Sequence, residues 1–167
     1  MATDAQILAQ IDAAFGPAER PEHFTNFRHY CECAEHDELL CSRDLETLSI
    51  ADVGNPGWDP PCFTSAQGIA YFFRPLARLA FAPPDPGYGW YADQLLFHLY
   101  YGFRDNGLYN FFTPAQRSSV AALIAHIIET RTDLVESCGS AHEFLQCHEL
   151  WTLDKNTHSP GRKHLSR

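Results

Sequence analysis

Nowhere in this 167-residue sequence do apolar residues run for the roughly 20 positions that a membrane-spanning helix needs. The opening Met1-Ala2-Thr3-Asp4 has neither the basic start nor the apolar stretch of a secretory signal, so a cytoplasmic location and no membrane partner are expected. Basic residues are scarce, 12 Lys and Arg against 21 Asp and Glu, for a formal charge of −9. Four of the twelve, Lys155, Arg162, Lys163 and Arg167, follow the last acid, Asp154. Residues 1–154 therefore set 8 basic side chains against 21 acidic ones, a charge of −13. Such a body repels phosphate backbones, which argues against nucleic acid as a ligand; the charge suits a basic protein partner or simply keeps the protein soluble.

The common catalytic signatures are missing as well. There is no Gly-x-Gly-x-x-Gly or other phosphate-cradling loop, no Gly-x-Ser-x-Gly elbow and no paired Cys-x-x-Cys. His142 and His148 stand six apart, so one helix face cannot offer both to a metal as the His-Glu-x-x-His pattern does. No alternating strand pattern of useful length occurs either.

What the sequence does have is a supply of core-formers, 45% hydrophobic residues and 13% aromatics. They recur with helical period behind helix-start signals. Thr3-Asp4-Ala5-Gln6, Thr64-Ser65-Ala66-Gln67, Thr113-Pro114-Ala115-Gln116 and Ser140-Ala141-His142-Glu143 each read as a capping box, in which a hydroxyl caps the first turn and the side chain three residues on reaches back. Val120, Leu123, Ile124, Ile127 and Ile128 then form a full apolar stripe. Further helices are expected from Asp93 to Tyr101 and about Cys33 to Cys41, and Pro75 should kink the helix that follows Thr64. The breaker-rich segments 54–61 and 82–90 should be ordered loops anchored by Trp58 and Trp90. The expected fold is all-α: one domain over residues 1–154, of five to seven helices with two Pro/Gly-rich ordered loops. A basic tail over 155–167 has little to bury and should fray.

Six cysteines, in a cytosolic chain, point to thiols or metal ligands before disulfides. Cys31 and Cys33, with His36 on the same face as Cys33, offer two thiolates and an imidazole, ligands that tetrahedral zinc accepts. His29 or the distant Cys138, His142, Cys147 and His148 would supply the fourth. The competing reading makes Cys33 and Leu40 core, while His36 and the neighbouring acids face water or cap a neighbour. Phe144, Cys147, His148 and Trp151 read first as a core stripe. Cys62 stands two residues before a helix cap, where the positive helix end lowers a thiol pKa and favours a nucleophile. His98 and His126 fall off their apolar stripes and are expected at the surface.

Taken together, Cys31-Glu32-Cys33-Ala34-Glu35-His36-Asp37, Gly57-Trp58-Asp59-Pro60 leading into Phe63, and Phe112-Thr113-Pro114-Ala115-Gln116 resemble an uncharacterised bacterial family of small helical proteins, a domain of unknown function. The resemblance spans about Ile7 to Ile128. It implies a compact helical domain and supplies no activity or catalytic residue. Three functional classes follow in order. The first is a non-enzymatic interaction or regulatory protein with an acidic surface. The second is a zinc-binding protein using Cys31, Cys33 and His36. The third is an enzyme using Cys62, or a metal-activated water in the Cys31–His36 pocket.

Overall fold

A computed structural model describes residues 1–29 and 32–153. Cys31 and the segment 155–167 lie outside the described residues. Within them the chain forms nine α-helices and no strand: α1 (Asp4–Phe15), α2 (Glu32–Cys41), α3 (Ile50–Val53), α4 (Ala66–Phe81), α5 (Tyr91–Tyr100), α6 (Gly107–Phe111), α7 (Pro114–Thr130), α8 (Thr132–Ser137) and α9 (Ala141–Thr152). Tight 3₁₀ turns at Pro60–Phe63 and Phe103–Asp105 punctuate the connections. The all-α expectation holds, with six helices of ten residues or more.

The helix starts show how far local chemistry reaches. Thr3 and Thr113 close the expected capping boxes with Gln6 and Gln116. At α4 the cap is Ser65, which accepts from the Gly68 N–H, one residue later than expected. Thr64 instead donates its hydroxyl to the Pro60 carbonyl and ends the preceding 3₁₀ turn. Ser140 makes no cap bond; its hydroxyl donates to Asp93 at 2.5 Å, 47 residues away. Helix α4 continues through Pro75, which is buried.

Five long helices close a ring, with α1 against α4, α4 against α5, α5 against α9, α9 against α7 and α7 back on α1. Large apolar side chains fill its centre. Phe15 stacks on Phe73 at 4.4 Å, and Phe112 meets both edge-on at 5.1 and 5.7 Å. Trp151 packs on Phe112 and donates its indole N–H to the Leu99 carbonyl at 2.9 Å. The two loop tryptophans do anchor, Trp90 buried and Trp58 half-buried.

Helix α2 sits outside this ring, on the Pro60–Phe63 turn, and ties down the segment 21–29. The buried Asp37 carboxylate accepts the backbone N–H groups of Phe24 (2.6 Å) and Thr25 (3.0 Å) and contacts His23 Nδ1 at 2.7 Å. Phe24, thus held, is fully buried against Phe72. Its approach leaves no room at Gly68, where a β-carbon would come within 2.9 Å of the Phe24 ring and 2.7 Å of Thr64. Burial works against the Asp37 charge, but His23 and the two N–H donors outweigh it and hold the carboxyl below its usual range. Asp52, bonded by Arg43 and Ser49, and Asp4, bonded by Arg131 and His126, are lowered in the same sense.

A carboxyl whose folded pKa lies below the unfolded one contributes stability that is complete above about pH 5 and is lost as the pH falls through the unfolded and then the folded value. The urea-unfolding free energy should therefore fall as the pH drops from about 5 towards 3. Asp37→Asn should cost about 2–3 kcal/mol at pH 7, because two buried N–H groups lose a charged acceptor. The acid loss of this variant should be shallower than that of the parent, and equal acid slopes would remove Asp37 from the account.

Candidate metal centre

Two groups of three possible metal ligands exist among the described residues, each with its ligand atoms within 4.8 Å of one another: His23, Asp37 and Cys41, and Asp59, Cys62 and His98. In the first, every Asp37 oxygen is already engaged in clamping the segment 23–25. His23 and Cys41 are exposed. That group is explained by structure alone.

The second is built differently. Asn55 folds the loop back, accepting the Gly57 N–H with its side chain and the Trp58 N–H with its carbonyl. Pro60 and Pro61 then fix the backbone of a 3₁₀ turn. Residues three apart eclipse in such a turn, so Asp59 and Cys62 emerge on the same side. The Cys62 sulfur lies 3.5 Å from Asp59 Oδ2. From α5, His98 Nε2 reaches the same oxygen at 2.8 Å. Asn106 secures that end of α5, donating to the carbonyls of His98 and Tyr101.

Sulfur, oxygen and nitrogen thus converge on one point. Asp59 is 6% exposed, and its second oxygen, Oδ1, is buried with no hydrogen-bond partner. The same deficiency surrounds it. His36 is fully buried between Trp58 (4.5 Å) and Phe63 (4.8 Å) with both ring nitrogens unpartnered. The Tyr91 hydroxyl and the Trp90 indole N–H are buried and unpartnered as well. Burial holds the His36 imidazole below its ordinary pKa, so it is neutral at pH 7, although Glu32 and the Asp59 carboxylate pull the other way. Burial, and then Asp59, pushes the Tyr91 hydroxyl well above the ordinary range.

No protein-family model, curated protein or solved structure matches this chain.

Several sequence expectations change here. His98, half-buried, and His126, buried, are partners of acids and not surface residues: Asp59 lies 39 positions from the first, and Asp4, at 2.7 Å, 122 from the second. Cys62 is no activated thiol. Partial burial of its sulfur, then the Asp59 carboxylate, pushes it up to about 11, and a neighbouring anion outweighs the helix end expected to lower it. The same Asp59 oxygen meets both Cys62 and His98, which is not the nucleophile–base–acid order of a catalytic triad.

His36 does not face water, since the 54–63 loop closes over it. Cys33 is half-buried, and no described group of three ligands includes Cys33 or His36. Cys31 lies outside the described residues. Cys147 is buried in the core stripe and its thiol is raised far above the usual range, while Cys138 and His142 are exposed. Neither they nor His148 enter a three-ligand group. The signal that sequence reading passed over is the pair Asp59 and Cys62, three apart across two prolines. His98 carried no local signal.

The raised Cys62 pKa has a direct readout. At pH 8 its iodoacetamide reaction in metal-free protein should run roughly ten- to hundredfold slower than that of a free thiol. Asp59→Asn, which removes the anion, should speed it. A rate at pH 8 equal to the unfolded control would contradict the geometry.

Proposed function

We propose that this chain is a metal-binding protein whose centre is Asp59, Cys62 and His98, and that zinc is the ion its donors suit. The observation that carries the reading is the convergence of three unlike donors on one point beside a buried, unpartnered carboxylate oxygen. Thiolate, imidazole and carboxylate are the three protein ligand types of zinc. Zinc–oxygen and zinc–nitrogen bonds of about 2.0–2.1 Å ask for roughly 3.3 Å between the two ligand atoms. The present 2.8 Å separation of Asp59 and His98 would open by about half an ångström. The thiolate and the carboxylate together balance the double positive charge, so the loaded site carries no net charge.

Three protein donors leave a fourth tetrahedral position, the pattern of reactive zinc sites more than of closed structural ones. Clefts of about 450 and 580 Å³ both reach Cys62, the first beside His98 and the second beside Asp59. A water or substrate atom would enter by either. The Cys41, Cys62, Cys138 and Cys147 thiols form no disulfides, which suits the reducing cytosol that we propose as its location. No helix among the described residues is long and apolar enough to cross a membrane. The alternative ligand set, Cys31, Cys33 and His36, gains support only from the unpartnered nitrogens of His36.

Zinc or cobalt titration into chelator-treated protein should reach one equivalent and release about one proton at pH 7, because the Cys62 thiol arrives protonated. Cobalt should show a thiolate charge-transfer band that Cys62→Ser abolishes. His98→Ala and Asp59→Asn should each weaken binding at least about tenfold. An unchanged band in Cys62→Ser, with loss in Cys33→Ser, would move the centre to the other set.

A further inference from the structure

A second chemistry lies beside the proposed metal centre and borders it at Asp59 and Cys62. The 580 Å³ cleft has Tyr88, Trp90 and Phe97 among its walls and Asp59 and Asp93 as its charged groups, with no lysine, arginine or histidine. Across the ridge formed by Phe97 and Asp93 runs another cleft of about 590 Å³, lined by Leu96, Tyr100, Tyr101, Phe103 and Glu143. It too has no basic residue. Phe97 is 52% exposed and Tyr101 70%, their rings 5.3 Å apart. Large aromatic faces are rarely left in water in this way without a use.

Asp93 accepts only the Ser140 hydroxyl, and no cation pairs with it or with Glu143 among the described residues. Acids without counter-charges and exposed aromatic faces define a complementary ligand. It is a cation with a flat head.

We propose that the paired clefts flanking Phe97 bind a basic peptide segment, with an arginine side chain laid against Tyr88 and Phe97 and paired to Asp93. Guanidinium stacks on aromatic rings and forks onto carboxylates, which favours arginine over lysine. The second acidic cleft beyond Phe97 sets a peptide with two basic side chains apart from a free amine. Glu143 in the neighbouring cleft takes a second basic residue. The body charge of −13 over residues 1–154 steers such a ligand inward.

The test is fluorescence anisotropy with a labelled peptide of alternating arginine and glycine, at fixed ionic strength. Saturable binding is expected, with none for the glutamate–glycine counterpart. Asp93→Asn and Phe97→Ala should each weaken it about tenfold, whereas Glu46→Gln, an exposed acid away from both clefts, should not. Phe97 is exposed, so its variant should fold normally even if Asp93→Asn disturbs Ser140. Chelator and Cys62→Ser should leave peptide binding intact, which separates this proposal from the metal reading. Affinities within about twofold of the parent in both cleft variants would overturn it. So would an equal loss in Glu46→Gln, or arginine amide binding as tightly as the peptide.

Discussion

The contact between the buried Asp59 carboxylate and His98 fixes the geometry of everything around it. A carboxylate 6% exposed is costly to desolvate, and a group so placed is ordinarily saturated with hydrogen bonds. Asp59 instead receives a ring nitrogen and a thiol on one oxygen and nothing on the other. Two consecutive prolines hold the 3₁₀ turn and stop the loop from relaxing away from this arrangement. Among the described residues, six buried side-chain atoms lack hydrogen-bond partners, and five of them belong to His36, Asp59, Trp90 and Tyr91. Unmet polar demand gathered in one region marks a place whose composition was not set by stability alone.

Helix α2 links that region to the rest of the chain through two successive residues with opposite fates. Asp37 turns to the segment 23–25, where both its oxygens are engaged and Phe24 is locked into the core. His36 turns to Trp58 and Phe63, where neither nitrogen is used. The aromatic sandwich compensates the apolar body of the ring and not its polar atoms. The burial of α2 therefore rests on Asp37 and Leu40, while His36 contributes a neutral, unsatisfied imidazole close enough to Asp59 for the carboxylate to bias it.

This division explains what could be read in advance. The all-α fold, the boxes at Thr3 and Thr113 and the stripe on α7 depend on residues within a few positions of one another, and the structure matches them. Where a distant group competes, local reading fails. Thr64 was drawn into closing the 3₁₀ turn, which passed the cap to Ser65. Ser140 gave its hydroxyl to Asp93. His98 and His126 left the surface for carboxylates 39 and 122 residues away. The short helices α3, α6 and α8 bury too few residues to stand out as periodic patterns. At Cys62 the helix-end argument was sound in kind but smaller than a carboxylate 3.5 Å from the sulfur.

Electrostatics would let the proposed metal centre and the proposed peptide cleft share Asp59 without conflict. Without metal, Asp59 is shared with His98 and with the Cys62 proton, so its charge is partly answered inside the site. If Asp59, Cys62 and His98 held a divalent ion, thiolate and carboxylate would balance its double positive charge. In either state the cleft keeps one strong unanswered charge, Asp93, held in place by Ser140 and flanked by the exposed Phe97. A cation drawn there meets neither a repelling metal nor a competing lysine or arginine. Its position would also bring peptide main chain toward Cys62, which lines the same cleft. Asp93 would therefore serve the peptide in either state, and the absence of basic residues from both cleft walls acquires a physical reason.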